Sequence, residues 1–202
     1  PIFCWYENFE KVTIIERSRD FCDIANSYLN GQDRNNSQNI SIINKSFEEC
    51  QDLGPKADFI VLSSILHEVD NPKIFMDHLK SLVKGDEHIY INVPNAKSLH
   101  RLIAFQAGII KDQTEISSRG TFFNTMRVFT VDDLTDLVVS SGFTVESSGT
   151  IGLKPFTHAQ MATVFTDLNR ESEQLTKALF NSDDIVPGIG SEIWMLIKRN
   201  KK

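Results

Sequence analysis

Several absences frame this chain of 202 residues. No apolar run is long enough to span a bilayer, and no signal-peptide pattern is present. Positive charge is in deficit: 21 Lys and Arg stand against 27 Asp and Glu, a net charge of −6. That balance excludes nonspecific attraction to nucleic acid or to an anionic membrane, and the basic end Lys198–Lys202 reads as a solvated tail. The three cysteines, Cys4, Cys22 and Cys50, include no C-x-x-C pair, so neither a zinc nor a dithiol motif is present. Reduced thiols fit a cytoplasmic protein. The histidines, at 67, 78, 88, 100 and 158, form no H-E-x-x-H, and no metal site is expected. No G-x-G-x-x-G precedes a helix either: Gly188 and Gly190 follow Pro187 and read as a turn, and Gly149 and Gly152 read as flanking a strand end.

What is present has a globular composition, with 41% hydrophobic residues, enough for a sizeable core in a single domain over 1–202. The stretch Ala57–Pro72 organises it. Phe59–Leu62 is a short apolar run between Gly54-Pro55 and two serines, which predicts a strand buried on both faces. Asp70 or Asn71 can cap the helix that Pro72 opens. Ser63 to Asp70 therefore lies at the carboxyl end of a central strand, where open α/β sheets bind ligands.

The rest of the chain alternates around that stretch. Residues 1–11 read as a helix end, Val12–Glu16 as a strand, Ser18–Leu29 as a helix with Phe21, Cys22, Ile24, Ala25, Tyr28 and Leu29 inward, and Ile40–Asn44 as a strand. A helix over Pro72–Val83 and a strand over His88–Val93 follow. This order predicts a doubly wound, mostly parallel α/β sheet. Residues 95–128 break the alternation and read as a lid or substrate insertion. Thr130–Asp133 is a capping box ahead of a helix ending at Gly142. Then come a strand at Phe143–Glu146, helix over Thr157–Phe180, and a last strand at Glu192–Lys198.

Three side chains carry candidate chemistry. Glu16, at a strand end, either accepts hydrogen bonds from a ribose diol or simply meets solvent. His67 is either an acid/base group or a helix-edge histidine without a role. Arg127 either pairs with an anionic group on a substrate or forms a surface salt bridge.

With these residues placed, the chain resembles the class I S-adenosylmethionine-dependent methyltransferases from about Val12 to Lys198. Six pieces carry the likeness: Glu16, Phe47-Glu48-Glu49, Asp58–Pro72, Val93–Arg101, Phe129–Leu134 and Ser141–Phe143. The later pieces are similar to a subgroup associated with small-molecule or glycan modification. That subgroup often carries Leu-Glu-His-Val where this chain has Leu66-His-Glu-Val69, and Gly-His where Asn124-Thr-Met stands.

The resemblance implies a Rossmann-like seven-stranded sheet, with Glu192–Lys198 as its one antiparallel strand. It implies S-adenosylmethionine as cofactor: Glu16 on the ribose, Ser46, Phe47 and Glu48 beside the adenine, and Ser63, Ser64 and Ile65 at the methionine end. His67 is the candidate base, and Asn95, His100 and Arg127 fall near a small-molecule or glycan acceptor. The family's first strand and glycine loop have no counterpart in the sequence and are expected ahead of Pro1. Two other readings stand beside this one: a methyltransferase-like binding scaffold without catalysis, and a nicotinamide dehydrogenase, which the antiparallel last strand opposes. The sequence assigns no oligomeric state.

Overall fold

The computed structural model describes residues 9–30, 39–53, 57–85, 87–116, 118–122, 124–168, 172–182 and 185–200. The chain divides into two compact units, Pro1–Leu53 and Gly54–Lys202. The helix end expected over residues 1–11 lies mostly outside the described residues. No described helix is long and apolar enough to cross a membrane.

In the first unit Val12–Glu16 (β1) lies parallel to Ile40–Asn44 (β2), with Val12 opposite Ile40 and Glu16 opposite Asn44. Both strands are rich in β-branched residues, which favour extended backbone. Arg19–Asn30 (α1) joins them. It begins where the sequence places it, with Ser18 Oγ accepting from the Phe21 N–H at 3.4 Å. α1 buries Cys22 and Leu29 but leaves Phe21, Ile24 and Tyr28 exposed. The apolar stripe read from the sequence is wider than the part of it that is buried. Phe47–Glu49 forms a single tight turn after β2.

The second unit is built on four strands: Phe59–Ser63 (β3), His88–Pro94 (β4), Phe143–Ile151 (β5) and Glu192–Arg199 (β6). Their order is β3-β4-β6-β5, with β3 parallel to β4 and β6 antiparallel to both of its neighbours. One face carries the core. Ile89, Ile91 and Val93 of β4 stand opposite Ile197, Met195 and Ile193 of β6, and all six are fully buried. Each such side chain contributes about 1.5–3 kcal/mol of burial free energy. Pro72–Leu82 (α2) adds Phe75, Met76 and Leu79. Val131–Ser140 (α5) adds Leu134 and Val138. The caps follow the sequence: Asn71 Oδ1 accepts from Lys73 and Ile74 N–H at 3.1 Å, and Thr130 and Asp133 exchange the two bonds of a capping box. Residues 95–128, read from the sequence as an insertion, carry two helices among the described residues, Leu99–Gln106 (α3) and Ser118–Phe122 (α4). In the helical stretch after β5 the described residues form His158–Leu168 (α6) and Ser172–Asn181 (α7).

Three expectations need correction. The α/β class and the antiparallel last strand hold, but a seven-stranded sheet is not seen among the described residues: six strands there form one two-stranded and one four-stranded sheet. Second, β3 is not buried on both faces. Leu62 is buried, while Phe59 is 41% and Val61 37% exposed; they share a face with His88 and Tyr90, their register partners on β4. A continuous apolar run in β3 does not by itself establish burial of both faces. Third, Gly149 lies inside β5, opposite Trp194. β5 outruns the expected strand through a register shift between Val145 and Ser147. A Cβ at Gly149 would come within 3.0–3.1 Å of the Trp194 indole, so the glycine makes room for a ring.

Candidate functional site

The candidate residues gather at the carboxyl ends of the parallel strands, and each unit has its own rim. In the first unit, Glu16 closes β1 and is half-buried. Its Oε1 accepts the Ser18 N–H at 2.7 Å, which fixes the plane of the carboxylate. Its other oxygen has no hydrogen bond among the described residues. Asn44, at the end of β2, donates to the carbonyls of Glu16 and Arg17, both at 3.0 Å. Ser46 and Phe47 are half-buried and Glu48 is exposed. Glu49, not Glu48, ties the turn together by accepting the Ser46 N–H at 3.2 Å. The sequence reading missed Asn44, whose signal was an amide at the end of a β-branched run.

In the second unit Ser63 closes β3, and Ser64 turns the chain with φ of 55°. That left-handed conformation is uncommon for a residue with a Cβ. The Ser64 N–H donates to the Asn92 carbonyl at 3.0 Å. The Asn92 amide in turn donates to Ser64 Oγ at 3.3 Å and to the Glu192 carboxylate. Asn92 and Glu192 were not foreseen. A polar residue inside an otherwise apolar strand was the available signal, because a buried amide requires partners.

Ile65 accepts the Glu68 N–H at 2.9 Å, which tightens the loop after Ser64. His67 sits on this loop and is 6% exposed. Its Nδ1 has no hydrogen-bond partner, and its Nε2 lies 3.6 Å from the Glu68 carboxylate, beyond hydrogen-bond reach. Burial lowers its pKa from the ordinary 6.5, so the imidazole is neutral at neutral pH. It is a buried ring with one acceptor or donor atom open.

Arg127 and Asn95 face the chain rather than a cavity. The Arg127 guanidinium donates to the carbonyls of Leu66 at 3.4 Å, Val69, and Asp70 at 2.8 Å. Asn95, 1% exposed, donates to Gly188 at 3.1 Å and Gly190 at 2.8 Å, and accepts the Lys97 N–H at 2.9 Å. Both of its amide hydrogens are thereby committed to backbone. His100 is half-buried on α3. In the insertion, Arg101 donates to the carbonyls of Gln113 at 2.6 Å and Glu115, folding that loop back on α3. The geometry thus links Ser63, Ser64 and His67 through one loop, ties Arg127 to that same loop, and ties Asn95 to the turn ahead of β6.

A family model described as a methyltransferase domain matches residues 4–148. No curated protein matches the sequence. Solved structures share the fold at low identity. An S-adenosylmethionine-dependent methyltransferase from Mesorhizobium loti is 14% identical, with a TM-score of 0.55 over 98% of this chain and 85% of its own. One from Methanosarcina mazei is 12% identical, with a TM-score of 0.57 over 95% of this chain and 83% of its own. The [4+2]-cyclase SpnF is 10% identical, with a TM-score of 0.58 over 95% of this chain and 67% of its own.

Proposed function

This chain belongs to the methyltransferase domain family, and we propose from that premise that it methylates a hydroxyl of a small or sugar-like acceptor, with His67 as the base. The cofactor of the family is S-adenosylmethionine, which when bound supplies a methyl group already activated by its sulfonium. The single observation that carries the proposal is the state of His67: a neutral imidazole, buried on the rim loop, with Nδ1 unpaired.

The residues of the chain fit the cofactor's parts. Glu16 presents a carboxylate held by one oxygen and open at the other, which suits a ribose diol. Ser46, Phe47 and Glu48 are assigned to the adenine. Ser63, Ser64 and Ile65 are assigned to the methionine end, with Ser64 shaped by its left-handed backbone. His67 would take the acceptor's hydroxyl proton at Nδ1 as the oxygen becomes nucleophilic. Alignment and exclusion of water are the rest of the chain's work. His100 remains the acceptor-side candidate on α3. Asn95 and Arg127 are reassigned to the frame, since their donors already serve backbone carbonyls. A small acceptor also suits the net charge of −6, which disfavours a polyanion.

Calorimetry with S-adenosylhomocysteine and Glu16→Ala tests the cofactor half. Loss of hydrogen bonds to a charged group predicts affinity about 10- to 100-fold weaker. His67→Ala tests the other half, across a panel of hydroxyl-bearing acceptors. Turnover should fall about 10²-fold or more with cofactor affinity unchanged; equal turnover would remove His67 from the chemistry. A second reading, a binding scaffold without methyl transfer, is favoured by the commitment of Asn95 and Arg127 to backbone. The [4+2]-cyclase illustrates that one fold serves different chemistries. Cofactor binding with no turnover on any acceptor would favour it.

A further inference from the structure

We infer that Arg127 is a positioning residue, which fixes the loop after β3 and the His67 imidazole on it by bracing the loop's backbone carbonyls. The loop from Ile65 to Asp70 belongs to neither a strand nor a helix, so its carbonyls have no ladder to satisfy them. Residues 126 and 127 supply what is missing. The Met126 N–H donates to the His67 carbonyl at 2.8 Å. Arg127 donates to Leu66, Val69 and Asp70, on both sides of His67. The same strap is anchored two residues later. Phe129 is 6% exposed, forms a parallel bridge with Asn95, accepts the Ala96 N–H at 2.8 Å and donates to Pro94 at 3.3 Å. Arg127 therefore links the loop after β3 to the segment after β4.

The planar fork of a guanidinium suits this task and an ammonium does not, because only the fork reaches several acceptors in fixed directions. No carboxylate lies within ion-pair distance of Arg127 among the described residues. Neutral carbonyls are its partners, as a brace requires and a salt bridge would not. Among the described residues the charged group recorded against the imidazole is Glu68, 3.6 Å from its Nε2; Arg127 meets the loop at its carbonyls. The inference rests on the reading of His67 as the acceptor-side base. Its test uses no turnover, so the two readings fail separately.

The test compares Arg127→Met and Arg127→Lys in the intact protein. Two quantities are read by NMR: the pH titration of the His67 ring, assigned by its loss in His67→Asn, and hydrogen exchange at the Glu68 and Met126 amides. Both substitutions should raise the His67 midpoint toward 6.5, as water reaches the ring, and speed exchange at both amides about tenfold or more. Core amides at Ile91 and Met195 should keep wild-type rates, which a general loss of stability would not allow. Wild-type behaviour in Arg127→Lys would assign the effect to charge and overturn the brace. An unmoved His67 in both variants would overturn it as well. If Arg127→Met does not fold, Arg127→Lys decides on the same two readouts.

Discussion

Asn95→Ala separates a structural amide from an acceptor contact. The side chain is 1% exposed and makes three hydrogen bonds: to Gly188 at 3.1 Å, to Gly190 at 2.8 Å, and from Lys97 at 2.9 Å. Truncation does not affect them equally. Gly188 and Lys97 are exposed, so water replaces the lost partner and each bond is worth about 0.5 kcal/mol. Gly190 is buried, and its carbonyl is left without a donor, at about 1–3 kcal/mol. The sum is a loss of roughly 2–4 kcal/mol. For a chain of this size that is a fall in Tm of roughly 5–15 °C. Near-UV circular dichroism during heating, supported by urea unfolding, reads it directly. Asn95→Asp should be worse at neutral pH, because a carboxylate would face two glycine carbonyls, and should recover in part on acidification as it protonates. A melting temperature within about 1 °C of wild type for Asn95→Ala, with only an acceptor KM altered, would refute the structural assignment.

Other outcomes follow from the same structure. Gly149→Ala places a Cβ at 3.0–3.1 Å from the Trp194 indole. It should cost about 1–3 kcal/mol and shift tryptophan emission as the ring moves off its stack with Tyr90; unchanged emission and stability would contradict that packing. The burial of His67 sets a pH dependence. Its folded pKa is lowered from 6.5, so below 6.5 the unfolded chain binds the proton more readily and stability falls as pH falls. Relative to His67→Gln, the wild type should lose stability as pH falls below about 6.5 and none above neutrality. Parallel curves for the two proteins would show that the ring is not held neutral by the fold.

Much of the fold was readable because its signals are local. Alternation in His88–Pro94 and Glu192–Arg199 marks strands with one buried face, and the structure seats Ile91 against Met195 as that pattern requires. Asn71-Pro72 and Thr130–Asp133 are helix starts whose donors and acceptors lie within one turn of each other. Exposure was less readable, since it depends on what packs against a face and not on the residues of the face. Phe59 and Val61 are as apolar as a doubly buried strand demands, yet both are more than a third exposed. Gly149 was misread for a similar reason: its signal is a ring arriving from β6, 45 residues later in the chain.

The site was harder to read, and the difficulty has one physical cause. Loops at the carboxyl ends of strands leave carbonyls and amides without a ladder, and these must be satisfied before any ligand is. Arginine and asparagine, rich in donors, meet that demand as well as they meet a substrate. Sequence gives the same signal for both uses. Arg127 and Asn95 were therefore sound candidates by residue type and position, and their partners proved to be backbone. The useful criterion is what remains after the backbone is satisfied. In the first unit it leaves the second oxygen of Glu16, and in the second unit the Nδ1 of His67. One can accept from a diol, and the other can take a proton at neutral pH. On those two atoms, more than on the count of polar residues around them, the proposed chemistry depends.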